Sequence, residues 1–145
     1  MPEPKLTVEL VPATCWYSNV RSQVPPKEWD RLRKLVYIKA NYCCEVCGGK
    51  GAKWPVEAHE LWHYDDTTHL QQLVKLVALC PNCHAVKHFG RTALCGQQDR
   101  ALKHLAHVNS WTIPEAKQYV AEQFKVWEER STHDWDLDLT YLQGL

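Results

Sequence analysis

Cys44 and Cys47 form one C-x-x-C pair, and Cys80 and Cys83 form a second. Each such turn aims two thiolates at one point, and four thiolates complete the tetrahedral shell that zinc prefers. Gly48 and Gly49 follow the first pair and let the backbone fold back over a metal. Cys43 competes for the first ligand position, but only Cys44 keeps the same spacing at both ends. The seven cysteines are an odd number without an export-type leader, which weighs against a complete disulfide framework and toward metal. A structural zinc on Cys44, Cys47, Cys80 and Cys83 is therefore expected, with Cys15 and Cys95 as ordinary free thiols.

A second constellation adjoins the first. His84 follows Cys83 directly and His88 lies four residues on, so on a helix the two imidazoles share one face. With His59 added, three nitrogens can grip a divalent ion and leave positions open for water and a phosphate oxygen. The plainer alternative makes His84 and His88 partly exposed helix residues beside a zinc knuckle. Lys87 and Arg91 share that stretch and can reach phosphates, although such charges commonly form only a solvated face. Trp16, Tyr17, Asn19 and Arg21 offer a stacking and phosphate-contact patch, against the commoner expectation that Trp16 and Tyr17 belong to the core. Asp65 and Asp66 read as the start of a turn rather than a second metal site.

The elements that position these groups show a mixed α+β pattern. Residues 55–62 read as a strand, with Val56, Ala58, Glu60 and Trp62 on one face and Glu57, His59 and Leu61 on the other. His59 and Glu60 then point apart unless the strand bulges. Trp29, Leu32, Leu35 and Val36 share a helical face after Pro26. Leu70, Leu73, Val74 and Val77 suggest another helix, with Val77 to Leu79 alternatively ending as a strand. Residues 84–94 and a stretch around Leu102, Leu105 and Ala106 also read as helical, punctuated by Gly96. Thr112 with Glu115 forms a capping box around Pro114, opening a helix lined by Ala116, Val120, Phe124 and Trp127.

The chain has 145 residues, 45% of them apolar, and seven Trp. One domain of this size buries roughly 68–70% of its unfolded surface. The expected organisation is an N-terminal support segment over 1–40, a zinc and histidine core over 41–95 and a helical extension over 96–145. No apolar run spans a bilayer and no charged-then-apolar leader opens the chain, so a soluble cytoplasmic protein with no membrane partner is expected. Zero net charge argues against a general nucleic-acid coat protein but leaves room for a local basic surface. The stretch 111–145 carries seven acidic and three basic residues, which makes its helix a candidate protein-contact surface.

The order of C-x-x-C, a short strand bearing Glu and His, a loop, then Leu79-Cys80-Pro81-Asn82-Cys83-His84 and His88 resembles the HNH endonuclease superfamily, most closely its zinc-pinned branch. Thr14 to Arg21, Trp29-Asp30, Glu57 to Trp62, Tyr64-Asp65-Asp66 and Leu79 to His88 with Gly90 are similar to small bacterial and phage proteins labelled HNH endonucleases. The resemblance implies a ββα-metal core pinned by the four-cysteine zinc, with flanking helices. It also implies metal-dependent hydrolysis of DNA phosphodiesters by a second divalent ion (Mg2+, Mn2+, Ni2+ or Zn2+). On this pattern His84 and His88 are metal ligands, and Arg21, Lys87 and Arg91 are candidate nucleic-acid contacts. His59 falls on the strand ligand position and Glu60 on the position of the general base, where the family carries His. Lys75 falls where the family carries its central Asn. His63 is a substitute base, and a second register makes His59 the base with Glu57 nearby as metal contact. The competing function is a zinc-stabilised module of the same fold that binds nucleic acid or a protein without cleaving.

Overall fold

The computed structural model describes residues 3–145. It is a small α+β structure built on a three-stranded sheet. After an extended N-terminal segment come α1 (Val20–Gln23) and α2 (Pro26–Lys39), then a loop carrying the first cysteine pair. Strands β1 (Glu57–Asp65) and β2 (Leu70–Leu79) form an antiparallel hairpin, and α3 (Pro81–Lys87) starts at its end. Three further helices follow, α4 (Phe89–Leu94), α5 (Gln98–Asn109) and α6 (Ile113–Arg130). The chain closes with β3 (Asp136–Asp138), parallel to β2, and a 3₁₀ turn over Thr140–Gly144. The extension over 96–145 is thus not wholly helical, because its last residues return to the sheet. Among the described residues no helix is long and apolar enough to cross a membrane.

Local chemistry explains most of these elements. Pro26 sits in the first turn of α2, where its missing N–H costs nothing. The Thr112 and Glu115 capping box closes at the start of α6. Asp65 accepts the backbone N–H groups of Thr67 and Thr68, at 2.9 and 3.1 Å, and makes the hairpin turn. The run 84–94 breaks at His88 (φ −92°, ψ 46°), so α3 and α4 are separate helices.

The stretch from Leu70 to Val77 is strand rather than helix, and the expected stripe is divided: Leu73 packs in one core, Val77 in the other, and Val74 is exposed. Leu61 pairs with Lys75 and Trp62 with Leu73, which leaves Val74 as an extra residue without a partner. This bulge resets the alternation, so Leu73 and Leu76, three apart as on a helix, face the same side of the sheet.

The sheet separates two cores. On one side Val77 and Leu79 pack with Leu6, Val8, Val86, Phe89, Leu102, Leu105, Ala116 and Val120. On the other, Val56, Leu73, Leu76 and Ala78 pack with Val20, Leu32 and Val36, flanked by Leu139, Tyr141, Leu142 and Leu145. Trp16 and Tyr17 belong to neither, being 71% and 60% exposed, which corrects the expectation that they are core residues.

The loop between the first cysteine pair and β1 is tightly fitted at Gly51. A Cβ there would lie 2.1 Å from the Trp54 carbonyl oxygen and 2.8 Å from the Pro81 ring. Gly51→Ala is expected to destabilise the fold by about 1–3 kcal/mol, whereas Gly144→Ala, whose Cβ meets open space, should leave a denaturant midpoint unchanged. Equal midpoints for the two variants would show that the loop yields.

Candidate metal centre

The four paired cysteines converge. The Sγ atoms of Cys44, Cys47, Cys80 and Cys83 all lie within 4.8 Å of one another, with Cys47 and Cys80 at 3.6 Å. Two sulfurs bound to one tetrahedral zinc lie about 3.8 Å apart, given Zn–S near 2.3 Å. The four sulfurs are therefore close enough together to hold a structural metal ion. Cys43 stays outside the group, its sulfur near the Asn41 carbonyl.

Backbone geometry holds this arrangement. Asn41 and Tyr42 adopt left-handed conformations (φ 53° and 57°) that reverse the chain after α2. Gly48 turns it again at φ 77°. Glu45 then clamps the loop to the end of β2, its carboxylate accepting the Ala78 N–H at 2.6 Å and its own N–H donating to the Ala78 carbonyl at 2.9 Å. The cluster also repels its own charge. The adjacent Cys83 thiol holds the Cys44 thiol down at about 4, while Cys83 itself is pushed far up by the same neighbour and by burial. Only a cation at the centre lets all four ionise together.

The second group is His59, His84 and His88, whose ligand nitrogens also lie within 4.8 Å of one another. His59 comes from β1 and is 3% exposed, His84 from α3, and His88 from the break before α4. The Nε2 atoms of His84 and His88 are 3.0 Å apart. That separation suits two nitrogens about 2.1 Å from one ion at right angles. Burial, followed by the charges of His84 and His59, depresses the His88 imidazole to about 3. Burial likewise lowers His84, against the opposing hydrogen bond from Glu57. Both rings are thus neutral and have lone pairs to offer at neutral pH.

Two carboxylates orient these rings. Glu57 accepts from His84 Nδ1 at 2.8 Å, which leaves Nε2 free to ligate. Glu9 accepts from His59 Nε2 at 3.1 Å, and His59 Nδ1 is then buried with no hydrogen-bond partner. A buried imidazole lone pair without a partner, beside two other imidazoles, is the expected state of a ligand nitrogen. Glu9 was not legible as a site residue. It arrives from the extended N-terminal segment, and its one local signal is a charge within the apolar run from Leu6 to Val11.

The remaining expected residues divide. Glu60 lies on the opposite face of β1, since the bulge falls beyond it, and its carboxylate accepts the Val20 N–H of α1 at 3.0 Å. His63 is exposed and lies about 13 Å farther along the strand, at ~3.3 Å per residue, outside the histidine group. Lys75 is exposed and pairs with Glu45 at 3.3 Å. Lys87 is buried, its ammonium held by Thr7 at 2.6 Å and Glu9 at 3.3 Å, so it is not a phosphate contact. Arg21 is exposed on α1, which packs on the sheet's other side. Arg91 does reach the site. With Arg100 from α5, which the sequence reading missed, it lines a cleft of about 360 Å³ that also contains Glu57, His84, His88 and His104.

Comparison of the chain with protein-family models, with curated proteins and with solved structures gives no match.

Two outcomes follow from this geometry. Cys80→Ser should abolish the bound metal and unfold the protein, because structural zinc supplies about 10–16 kcal/mol available only to the folded arrangement; a folded, metal-free Ser variant by circular dichroism would contradict it. Glu9→Gln and Glu57→Gln should each weaken a second divalent ion by about 10–100-fold while leaving the first in place. Calorimetric titration with Ni2+ or Zn2+ measures this, and unchanged affinity would remove the orienting role.

Proposed function

We propose that the chain is a metal-dependent phosphodiester hydrolase of the HNH type acting on DNA, with a structural zinc on its four cysteines. The observation that carries this reading is the convergence of His59, His84 and His88 beside a cleft flanked by Arg91 and Arg100. The hairpin and following helix that deliver them have the order of a ββα-metal unit. Three imidazoles form a donor set that suits Zn2+ or Ni2+ better than Mg2+, which prefers oxygen. An ion held by His59, His84 and His88 would supply positive charge against that developing on the phosphate and on the leaving oxygen.

The rest is done by side chains. Arg91 and Arg100 hold phosphate oxygens at the cleft, with Arg100 braced by Asn82 at 3.0 Å. Glu57 is the only carboxylate among the residues lining the cleft, and its side chain is 43% exposed. Its Oε2 holds His84, which leaves Oε1 to take a proton from attacking water. Of the three expected bases, Glu60 and His63 lie away from the cleft and His59 is kept as a ligand, so none of them is the base in this scheme.

A second reading is a binding module without cleavage, and one observation favours it: Glu60, at the position of the family's base, is occupied in holding Val20. Plasmid cleavage with Ni2+, Zn2+, Mn2+ or Mg2+ separates the two. The nuclease reading expects cleavage strongest with Ni2+ or Zn2+, lost in His84→Ala and nearly unchanged in Glu60→Gln and His63→Ala. At saturating metal Glu9→Gln should recover and Glu57→Gln should stay at least about 100-fold slow. Wild-type protein that fails to cut with every one of these metals, yet binds DNA with a salt dependence that weakens in Arg91→Ala and Arg100→Ala, would establish the module instead.

A further inference from the structure

The four cysteine sulfurs are not supported equally. Cys44 Sγ accepts the backbone N–H of Cys47 at 3.5 Å, Cys47 Sγ accepts that of Gly49 at 3.4 Å, and Cys80 Sγ accepts that of Cys83 at 3.4 Å. No backbone N–H reaches Cys83 Sγ among the described residues. Its neighbour is instead His104 Nε2 at 3.1 Å, delivered from α5, a helix outside the hairpin and α3.

We infer that His104 donates its Nε2–H to the metal-bound thiolate of Cys83 and so retains the metal in the four-cysteine site. Four thiolates around a dication leave two net negative charges, and Cys83 is fully buried. Buried negative charge is tolerated only where donors face it. Three sulfurs draw that donor from the turn each C-x-x-C makes, whereas the fourth draws it from a side chain twenty-one residues along the chain. A nitrogen 3.1 Å from a thiolate must carry its proton, which assigns the neutral ring its Nε2–H form. Ala101, Leu102, Leu105 and Ala106 are all buried and hold α5 against α3. The ring is thereby placed by packing and does not depend on the metal for its position.

His104 is a positioning residue in this role, and its test requires no catalysis. The inference rests on the four-cysteine site and is independent of DNA cleavage. Zinc content of purified His84→Ala protein, in which the histidine site is disabled, comes first: one zinc per chain is expected, and none would overturn the four-cysteine reading and this inference together. Zinc transfer to a chromogenic chelator is then timed for wild type, His104→Phe and His104→Gln. Losing a hydrogen bond to a charged group, about 1.5–3 kcal/mol, predicts release at least about tenfold faster in His104→Phe, with His104→Gln nearer wild type because its amide can donate. Release at the wild-type rate in His104→Phe overturns the inference. Should the Phe variant fail to fold, long-range ¹H–¹⁵N NMR on the wild-type zinc protein decides, since a proton on Nδ1 rather than Nε2 rules the bond out and a proton on Nε2 supports it.

Discussion

The convergence of four sulfurs is the constraint on which the remaining geometry depends. Cys44 and Cys47 lie on a loop with little regular structure, and Cys80 and Cys83 lie where β2 becomes α3. A metal bound to all four fixes that junction, and the junction sets where α3 begins. Cys80 itself caps the helix, its sulfur accepting the Cys83 N–H. His84 follows directly, so the backbone that carries a candidate catalytic ligand is anchored one residue from a structural site. Without a cation the same four sulfurs hold protons unequally, with Cys44 driven toward thiolate and Cys83 kept neutral. A cation held there would replace a mutually opposed set of thiols with a balanced one.

The sheet makes the second division, between a chemical side and a supporting side. Glu57 and His59 face α3, while Glu60, one residue on, faces α1. Burial raises the Glu60 carboxyl, opposed by the bond from Val20, as befits a group that braces a helix start. The same parity that brings His59 to His84 and His88 removes Glu60 from them, and no bulge intervenes between positions 57 and 61. One strand thus supplies a candidate ligand to one core and a clamp to the other.

Much of this was legible because it rests on local rules. The repeated C-x-x-C spacing, the strand alternation from Val56 to Trp62, the helix after Pro26 and the capping box at Thr112 each follow from a few adjacent residues. What was not legible depended on distant contacts. Leu70, Leu73, Val74 and Val77 have helical spacing, and only pairing with β1 shows that Val74 is an extra, exposed residue and that Leu73 and Val77 face opposite cores. Lys87 looked like a free cation beside two histidines, but the N-terminal segment covers it. Trp16 and Tyr17 carried the large rings typical of a core, yet the segment before α1 leaves them in solvent.

The N-terminal segment shows why flanking residues belong to the site rather than to a support. Glu9 is 15% exposed at its side chain and stands between the Lys87 ammonium and the His59 ring. Lys87 supplies the opposite charge beside that enclosed carboxylate, 3.3 Å away. The carboxylate accepts the His59 Nε2–H and leaves the buried Nδ1 as the lone pair. Lys87 therefore acts on the histidine group through Glu9. A residue read as a contact for phosphate instead sets the form of an imidazole, and the charge pair that does so is closed by a segment that lies about fifty residues before the strand it serves.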